Sequence, residues 1–169
     1  MPDGLSKGVV KMLPTTLVFP VLGDSIERIL LGYKKTGFGK GKWNGFGGKI
    51  QPDETVFSAA LRELQEESGL LADEKDLIWV GRLEFVFPAS PELDHPVEIF
   101  LIKKWQKTPI ETDEMCPKWF STKDVPYHSM WDDDIFWFPQ VLRGEKICGE
   151  IVFDSNNEKV ASHQIKSFE

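Results

Sequence analysis

The 169-residue chain is poor in several features whose scarcity is informative. Its two cysteines, Cys116 and Cys148, are too few and too far apart for a disulfide scaffold or a zinc ribbon. Its three histidines, His95, His128 and His163, include no close pair, which argues against a histidine-based zinc site. The longest apolar stretches, 16–22 and 98–102, fall far short of the ~18 residues of a membrane span. The first twelve residues lack the apolar run of a secretory signal. Basic residues are in the minority: 20 Lys and Arg stand against 27 Asp and Glu, a formal net charge of −7. Such a chain has no basic stripe for a nucleic acid polymer. We expect a cytoplasmic monomer that engages neither membrane nor polymer.

What is present is ordinary globular usage, 41% hydrophobic and 28% charged, in a length that suits one domain. Residues 1–14 read as a leader closed by Pro14, and residues 15–169 as a single domain. Residues 15–22 are rich in β-formers and predict a strand, with Pro20 requiring an edge or a bulge. Residues 27–33 predict its hairpin partner, and the glycine-dense segment 34–48 a loop. A helix is expected over 54–68, opened by Asp53 and stopped by Gly69. Leu77, Trp79, Leu83, Phe85 and Phe87 alternate on one face of a strand over 77–87. Further strands are expected over 97–105 and 118–121, a helix containing Pro139 over 130–142, and a closing hairpin of 146–153 with 159–168. This order predicts an α+β fold, a mixed sheet with helices packed on its faces.

The glycine loop matches no common phosphate-binding fingerprint. The Walker pattern fails because Ile50 follows Gly48-Lys49, and the GxGxxG pattern fails at Lys42 and again at Ile50. More telling is the segment that follows. On a helix, Val56, Phe57, Ala60, Leu61 and Leu64 form an apolar stripe, with Glu67 at its edge and Glu63 and Glu66 just beyond. Like charges at such spacings cost ~0.2–0.5 kcal/mol per pair, and more at the margin of a buried face. An ordinary solvated acidic face would lie opposite the stripe with lysines interleaved, and this one does neither. The cluster therefore calls for positive charge from elsewhere. Oxygen ligands alone favour a hard cation, Mg²⁺ or Mn²⁺.

Gly48, Glu54, Arg62, Glu63, Leu64, Glu66, Glu67, Gly69 and Leu70 match GX5EX7REUXEEXGU at every defined position. On this box the chain resembles the Nudix hydrolases. The resemblance implies a mixed sheet between helices and hydrolysis of a nucleoside diphosphate linked to another moiety. It implies Glu63 and Glu67 as principal metal ligands and Glu66 as a ligand or the base that prepares water. The carbonyl of Gly47 would join the metal shell, Arg62 would pair with Glu54, and Glu114 is the candidate for a further ligand.

The flanks LLGYKKTGFGKGKWNGFGGKI, TPIETDEM and MWDDDIFWFP resemble a subgroup of that family, the animal oxidised-purine nucleoside triphosphatases. A purine pocket can be built from them. Trp131 offers a stacking face worth ~1–3 kcal/mol, and Asn44 an amide that can read a purine edge. Neighbouring Asp133 and Asp134 should share a proton, so one donates to an oxo group while the other accepts from N–H. The subgroup further implies Thr16, Lys34, Phe46, Gly47, Gly48 and Lys49 at the nucleotide, with Phe38 and Phe85 able to line the site. Trp119 and Trp137 are expected in the core. Asp132 stands where the subgroup usually has proline, a third carboxylate beside the pair. The implied activity is hydrolysis of 8-oxo-dGTP and 2-oxo-dATP to monophosphate and pyrophosphate. Competing expectations are an alkylated purine substrate such as O6-methyl-dGTP, a broad dNTPase, or a silent nucleotide-binding module.

Overall fold

The computed structural model describes residues 14–168, so the expected leader, apart from Pro14, lies outside the described residues. In chain order the elements are β1 (Thr15–Leu22), β2 (Arg28–Lys34), β3 (Trp43–Asn44), α1 (Val56–Ser68), β4 (Leu77–Val86) and β5 (His95–Ile102), then β6 (Met115–Ser121), α2 (Asp134–Leu142), β7 (Lys146–Phe153) and β8 (Val160–Phe168). The strands form one mixed sheet in the order β3-β2-β1-β5-β4-β7-β8, with β6 also paired to β2. The pairs β1/β5 and β4/β7 are parallel and the rest antiparallel. Among the described residues no helix is long and apolar enough to cross a membrane.

Alternation along the strands divides the core between the two faces of the sheet. Phe19, Val21, Ile29, Leu31, Ile99 and Leu101 point one way and pack with Trp137, Phe138 and Val141 of α2. Their neighbours Val18, Leu30, Phe100 and Ile102 point the other way and pack with Ala60 and Leu64 of α1. Each helix thus covers one face, which gives the expected α+β sandwich.

Several local expectations are revised by packing. Pro20 lies in an interior strand rather than at an edge. Strands β1 and β2 pair only at Val21–Ile29 and Leu22–Arg28; below Pro20 the neighbour of β1 is instead the loop at Phe46–Gly48. The proline, having no N–H to give, sits where one partner hands over to the other. The N-cap of α1 is Thr55 rather than Asp53, in a reciprocal capping box with Ser58, while Gly69 closes the helix at φ 78°. Phe57 is 45% exposed, and Ala59 takes its place in the buried stripe. In β4 a bulge at Val80 breaks the expected alternation. Leu77 consequently packs in the α1-side core and Leu83 and Phe87 in the α2-side core, while Trp79 is exposed and donates to Glu98 at 2.7 Å. Strand β5 ends at Ile102 and β6 begins earlier than expected, at Met115. The last helix starts at Asp134, after a 3-10 turn over Tyr127–Ser129.

The loop that crosses β1 requires glycine at two positions. Thr16 and Val18 donate their N–H groups to the carbonyls of Gly48 and Phe46 at 2.9 and 2.7 Å, drawing the loop onto β1. A Cβ on Gly47 would lie 1.7 Å from the carbonyl oxygen of Thr16, and one on Gly48 2.6 Å from a carboxylate oxygen of Glu63. Gly47→Ala should therefore destabilise the domain by about 1–3 kcal/mol through overpacking. A urea-unfolding midpoint equal to that of the parent would contradict this close approach.

Candidate active site

The loop and α1 meet through carboxylates. Glu67 is 1% exposed and accepts the N–H of Gly47 at 2.8 Å, with Lys34 Nζ 3.9 Å away. Burial pushes its carboxyl up to about 8 against the help of Gly47 and Lys34, with the charges of Glu63 and Glu114 adding to the rise. Glu63 is also shifted upward, first by desolvation, despite a 2.9 Å bond from Arg62. Glu66 is the exposed member of the set. Arg62 organises the base of the cluster. Its Nε and Nη2 grip Glu54 at 2.6 and 2.8 Å, its Nη2 also reaches the carbonyl of Lys49, and its Nη1 is shared between Glu63 and Glu66. The pairing of Arg62 with Glu54 ties the loop to the helix. Glu114 stands just before β6, where its carbonyl accepts the N–H of Lys35. Its exposed side chain is close enough for its charge to act on both Glu63 and Glu67.

Among the described residues, no three acidic, histidine or cysteine side chains converge as they stand on one metal position. The donor set nevertheless fits a hard divalent cation. It is all oxygen, it includes a buried carboxylate whose charge is under-compensated, and Arg62 has enough donors to keep Glu54 while releasing Glu63 and Glu66.

Beside this cluster, across Gly47 and Gly48, opens a cavity of about 300 Å³. The expected residues Thr16, Lys34, Asn44, Gly47, Gly48 and Lys49 line it, and of these Lys34, Gly47 and Gly48 also lie against Glu67 or Glu63, while the Lys49 carbonyl accepts from Arg62. Phe38, Phe85, Trp131, Asp133 and Asp134 line the remainder. Trp131 is flanked by Phe38, 4.9 Å between ring centroids, and by Lys42 Nζ at 5.4 Å. Asn44, which lines the cavity, accepts the N–H of Gly45 on Oδ1 at 2.8 Å, and its amide NH₂ makes no protein hydrogen bond among the described residues.

Asp133 and Asp134 are 2% and 3% exposed, at the start of α2. Burial pushes Asp133 up to about 6 and Asp134 well above the carboxylate range, where the neighbouring Asp133 charge adds to the shift. Trp137 Nε1 donates to Asp133 at 2.7 Å, whereas Asp134 Oδ2 is buried with no partner among the described residues. The donor on Asp133 favours its ionised form, so the shared proton belongs on Asp134. Trp137 is in the core as expected, and it also orients the pair.

Two expected residues lie elsewhere. Phe46 is fully buried in the α1-side core, and only its backbone shapes the site, by pairing with Val18. Asp132 turns away from the cavity to accept Val160 N–H at 2.8 Å and Lys159 Nζ at 3.4 Å, binding the start of α2 to the β7–β8 hairpin. Its charge still reaches Asp133 and raises it. Sequence reasoning missed His95, Phe87, Val97 and Phe153, all in the cavity wall. Strand alternation across the β4–β5 pair, where Phe85 faces His95, was the available signal.

A model of the Nudix domain matches residues 12–140. The chain belongs to the Nudix family. It is 45% identical over 140 residues to the mouse protein named oxidized purine nucleoside triphosphate hydrolase, covering 83% of this chain and 87% of that one. Its identity to the zebrafish protein of the same name is 42% over 158 residues, covering 94% and 99%. Among solved structures, a MutT protein from Bacillus halodurans superposes with a TM-score of 0.77 at 20% identity, over 91% of this chain and 97% of that one. At that identity the likeness concerns the fold alone, and it is the mixed sheet between helices seen here.

Proposed function

We propose that this Nudix chain hydrolyses oxidised purine nucleoside triphosphates to the monophosphate and pyrophosphate, with Mg²⁺, as a monomer in the cytoplasm. The observation that carries the reading is the buried Asp133–Asp134 pair, one oxygen unpartnered among the described residues, in a cavity also lined by Gly47 and Gly48, the loop whose Gly47 N–H is held by Glu67. A protonated and an ionised carboxyl side by side present a donor and an acceptor, the pattern an oxo group beside a ring N–H requires. The names of the mouse and zebrafish relatives support the same substrate class.

Each group has a role in this reading. Trp131 gives the base a flat face, and the amide N–H groups of Asn44 donate to its edge. Lys34 and Lys49, in the cavity wall, attract the phosphates. Glu63, Glu66 and Glu67, with Glu114 and the Gly47 carbonyl, would hold the divalent ions. Such ions would supply charge to neutralise the polyphosphate and to activate the attacking water. Glu66, exposed and bonded by a shared Arg62 N–H at 3.2 Å, would serve either as one of these ligands or as the base that takes the proton of the water.

The test is pyrophosphate release with magnesium from 8-oxo-dGTP, 2-oxo-dATP, O6-methyl-dGTP, dGTP and ADP-ribose. The oxidised triphosphates should lead in kcat/KM. A win for ADP-ribose would defeat the purine-pocket reading. Binding without turnover of any of them would make the chain a silent nucleotide-binding module.

A further inference from the structure

The wall of the cavity formed by β4 and β5 holds a polar group that the reading above leaves unused, His95. Its ring lies stacked against Phe85 and Phe87, at 5.5 and 6.3 Å between centroids and 25° and 14° between planes. The position is held from several sides. Pro96 follows, which confines the backbone of His95 to an extended conformation, and His95 pairs with Phe85 in the β4–β5 ladder. The turn between the strands is closed by Phe87 N–H donating to Asp94 at 2.6 Å. Most directly, His95 Nδ1 lies 2.6 Å from the carbonyl oxygen of Leu93. A carbonyl can only accept, so Nδ1 carries the proton and Nε2 of the neutral ring is an acceptor. No protein hydrogen bond to Nε2 occurs among the described residues, and the side chain lines the cavity.

We propose that His95 is a specificity-determining residue whose Nε2 accepts a hydrogen bond from a ring N–H that oxidation adds to the purine. The proposal rests on the reading of the cavity as an oxidised-purine site. Its chemical basis is that both oxidised bases gain a donor where the parent base has an acceptor. Oxidation of guanine at C8 turns N7 into N–H, and in its keto form 2-oxo-adenine carries a ring N–H that adenine lacks. A fixed acceptor in an aromatic wall rewards the oxidised base and faces a lone pair in the normal one. Such a site discriminates by leaving its own polar group unpaired with the wrong ligand. The aspartate pair, which can both donate and accept, is permissive by comparison, so a one-way acceptor adds selectivity that the pair lacks.

Two variants separate the acceptor from the architecture. His95→Phe keeps an aromatic ring for the stack, and His95→Asn keeps a donor for the Leu93 carbonyl; neither presents an acceptor at the Nε2 position. Binding of 8-oxo-dGMP and of dGMP, followed by tryptophan fluorescence, reads discrimination without requiring turnover. In both variants the preference for 8-oxo-dGMP should fall about five- to tenfold, the range of one net hydrogen bond, through weaker binding of 8-oxo-dGMP, tighter binding of dGMP, or both. Equal weakening of both nucleotides would assign His95 a structural role only and overturn the proposal, as would an unchanged preference. A parental protein that fails to prefer 8-oxo-dGMP at all would instead overturn the oxidised-purine reading, and this proposal with it.

Discussion

Glu67→Gln should lower turnover of the preferred nucleotide about 10³-fold, with product affinity unchanged within about threefold. Glutamine keeps the shape of the side chain and can still accept the N–H of Gly47. It cannot supply the negative charge that holds a divalent ion against the phosphates. Charge stabilisation of this kind contributes several kcal/mol at the transition state, and each 1.36 kcal/mol is a factor of about ten in rate. Burial already pushes the Glu67 carboxyl up to about 8, so in the metal-free protein the neutral form dominates at pH 7. Glutamine imitates that neutral form. The metal-free variant should therefore melt no lower than the parent, while the rise in Tm on adding magnesium should shrink. Single-turnover kinetics and paired thermal melts check both halves. A variant retaining more than a tenth of the parental rate would remove Glu67 from the metal site.

Asp133→Asn and Asp134→Asn should each lower kcat/KM for 8-oxo-dGTP by roughly 10²-fold, the range of a lost hydrogen bond to a charged group. Either change converts an adaptable donor–acceptor pair into one with a fixed pattern, so the two variants should favour different bases. Parental rates on 8-oxo-dGTP in both would dismiss the pair as the base reader. The pair also sets a pH dependence of stability. Both carboxyls are raised above their unfolded values by burial, Asp133 to about 6 and Asp134 further. The folded state thus binds more protons than the unfolded chain above pH ~4. Their contribution is complete below that pH and is lost as pH rises through about 6 and beyond. Asp134→Asn, which stays neutral, should flatten the fall in Tm between pH 5 and 8. The parent, not the variant, should be the steeper of the two; a reversed order would contradict the assignment of the proton to Asp134.

Much of the site was legible because it is local. The glutamates, Arg62 and Gly69 sit at fixed spacing on one helix, and helical periodicity alone puts Glu67 at the edge of the buried stripe. The pairing of Arg62 with Glu54 spans only eight residues. Asp133 and Asp134 are adjacent, so their mutual effect on ionisation follows from sequence. Other features depend on distant segments. Whether Asp132 faces the base or the hairpin is decided by Val160, 28 residues away, whose N–H it accepts. Phe46 is expected at the nucleotide because the resemblance implies it, yet the crossing of the glycine loop over β1 sends its side chain into the core. The bulge at Val80 is equally invisible in an alternating string of apolar residues.

By itself the sequence determined the carboxylate helix, the proton-sharing aspartates and the mixed sheet with a helix on each face. All three follow from periodicity, adjacency and composition, which act over short stretches of chain. Only the tertiary structure decided that the loop at Gly47 delivers a backbone N–H to Glu67, and that this loop shares an aromatic cavity with the aspartates. Only it turned His95 from an isolated histidine into an oriented acceptor in the cavity wall. The physical reason is common to these cases. Burial, which raises the carboxyls, and close approach, which demands glycine, are properties of segments brought together by folding.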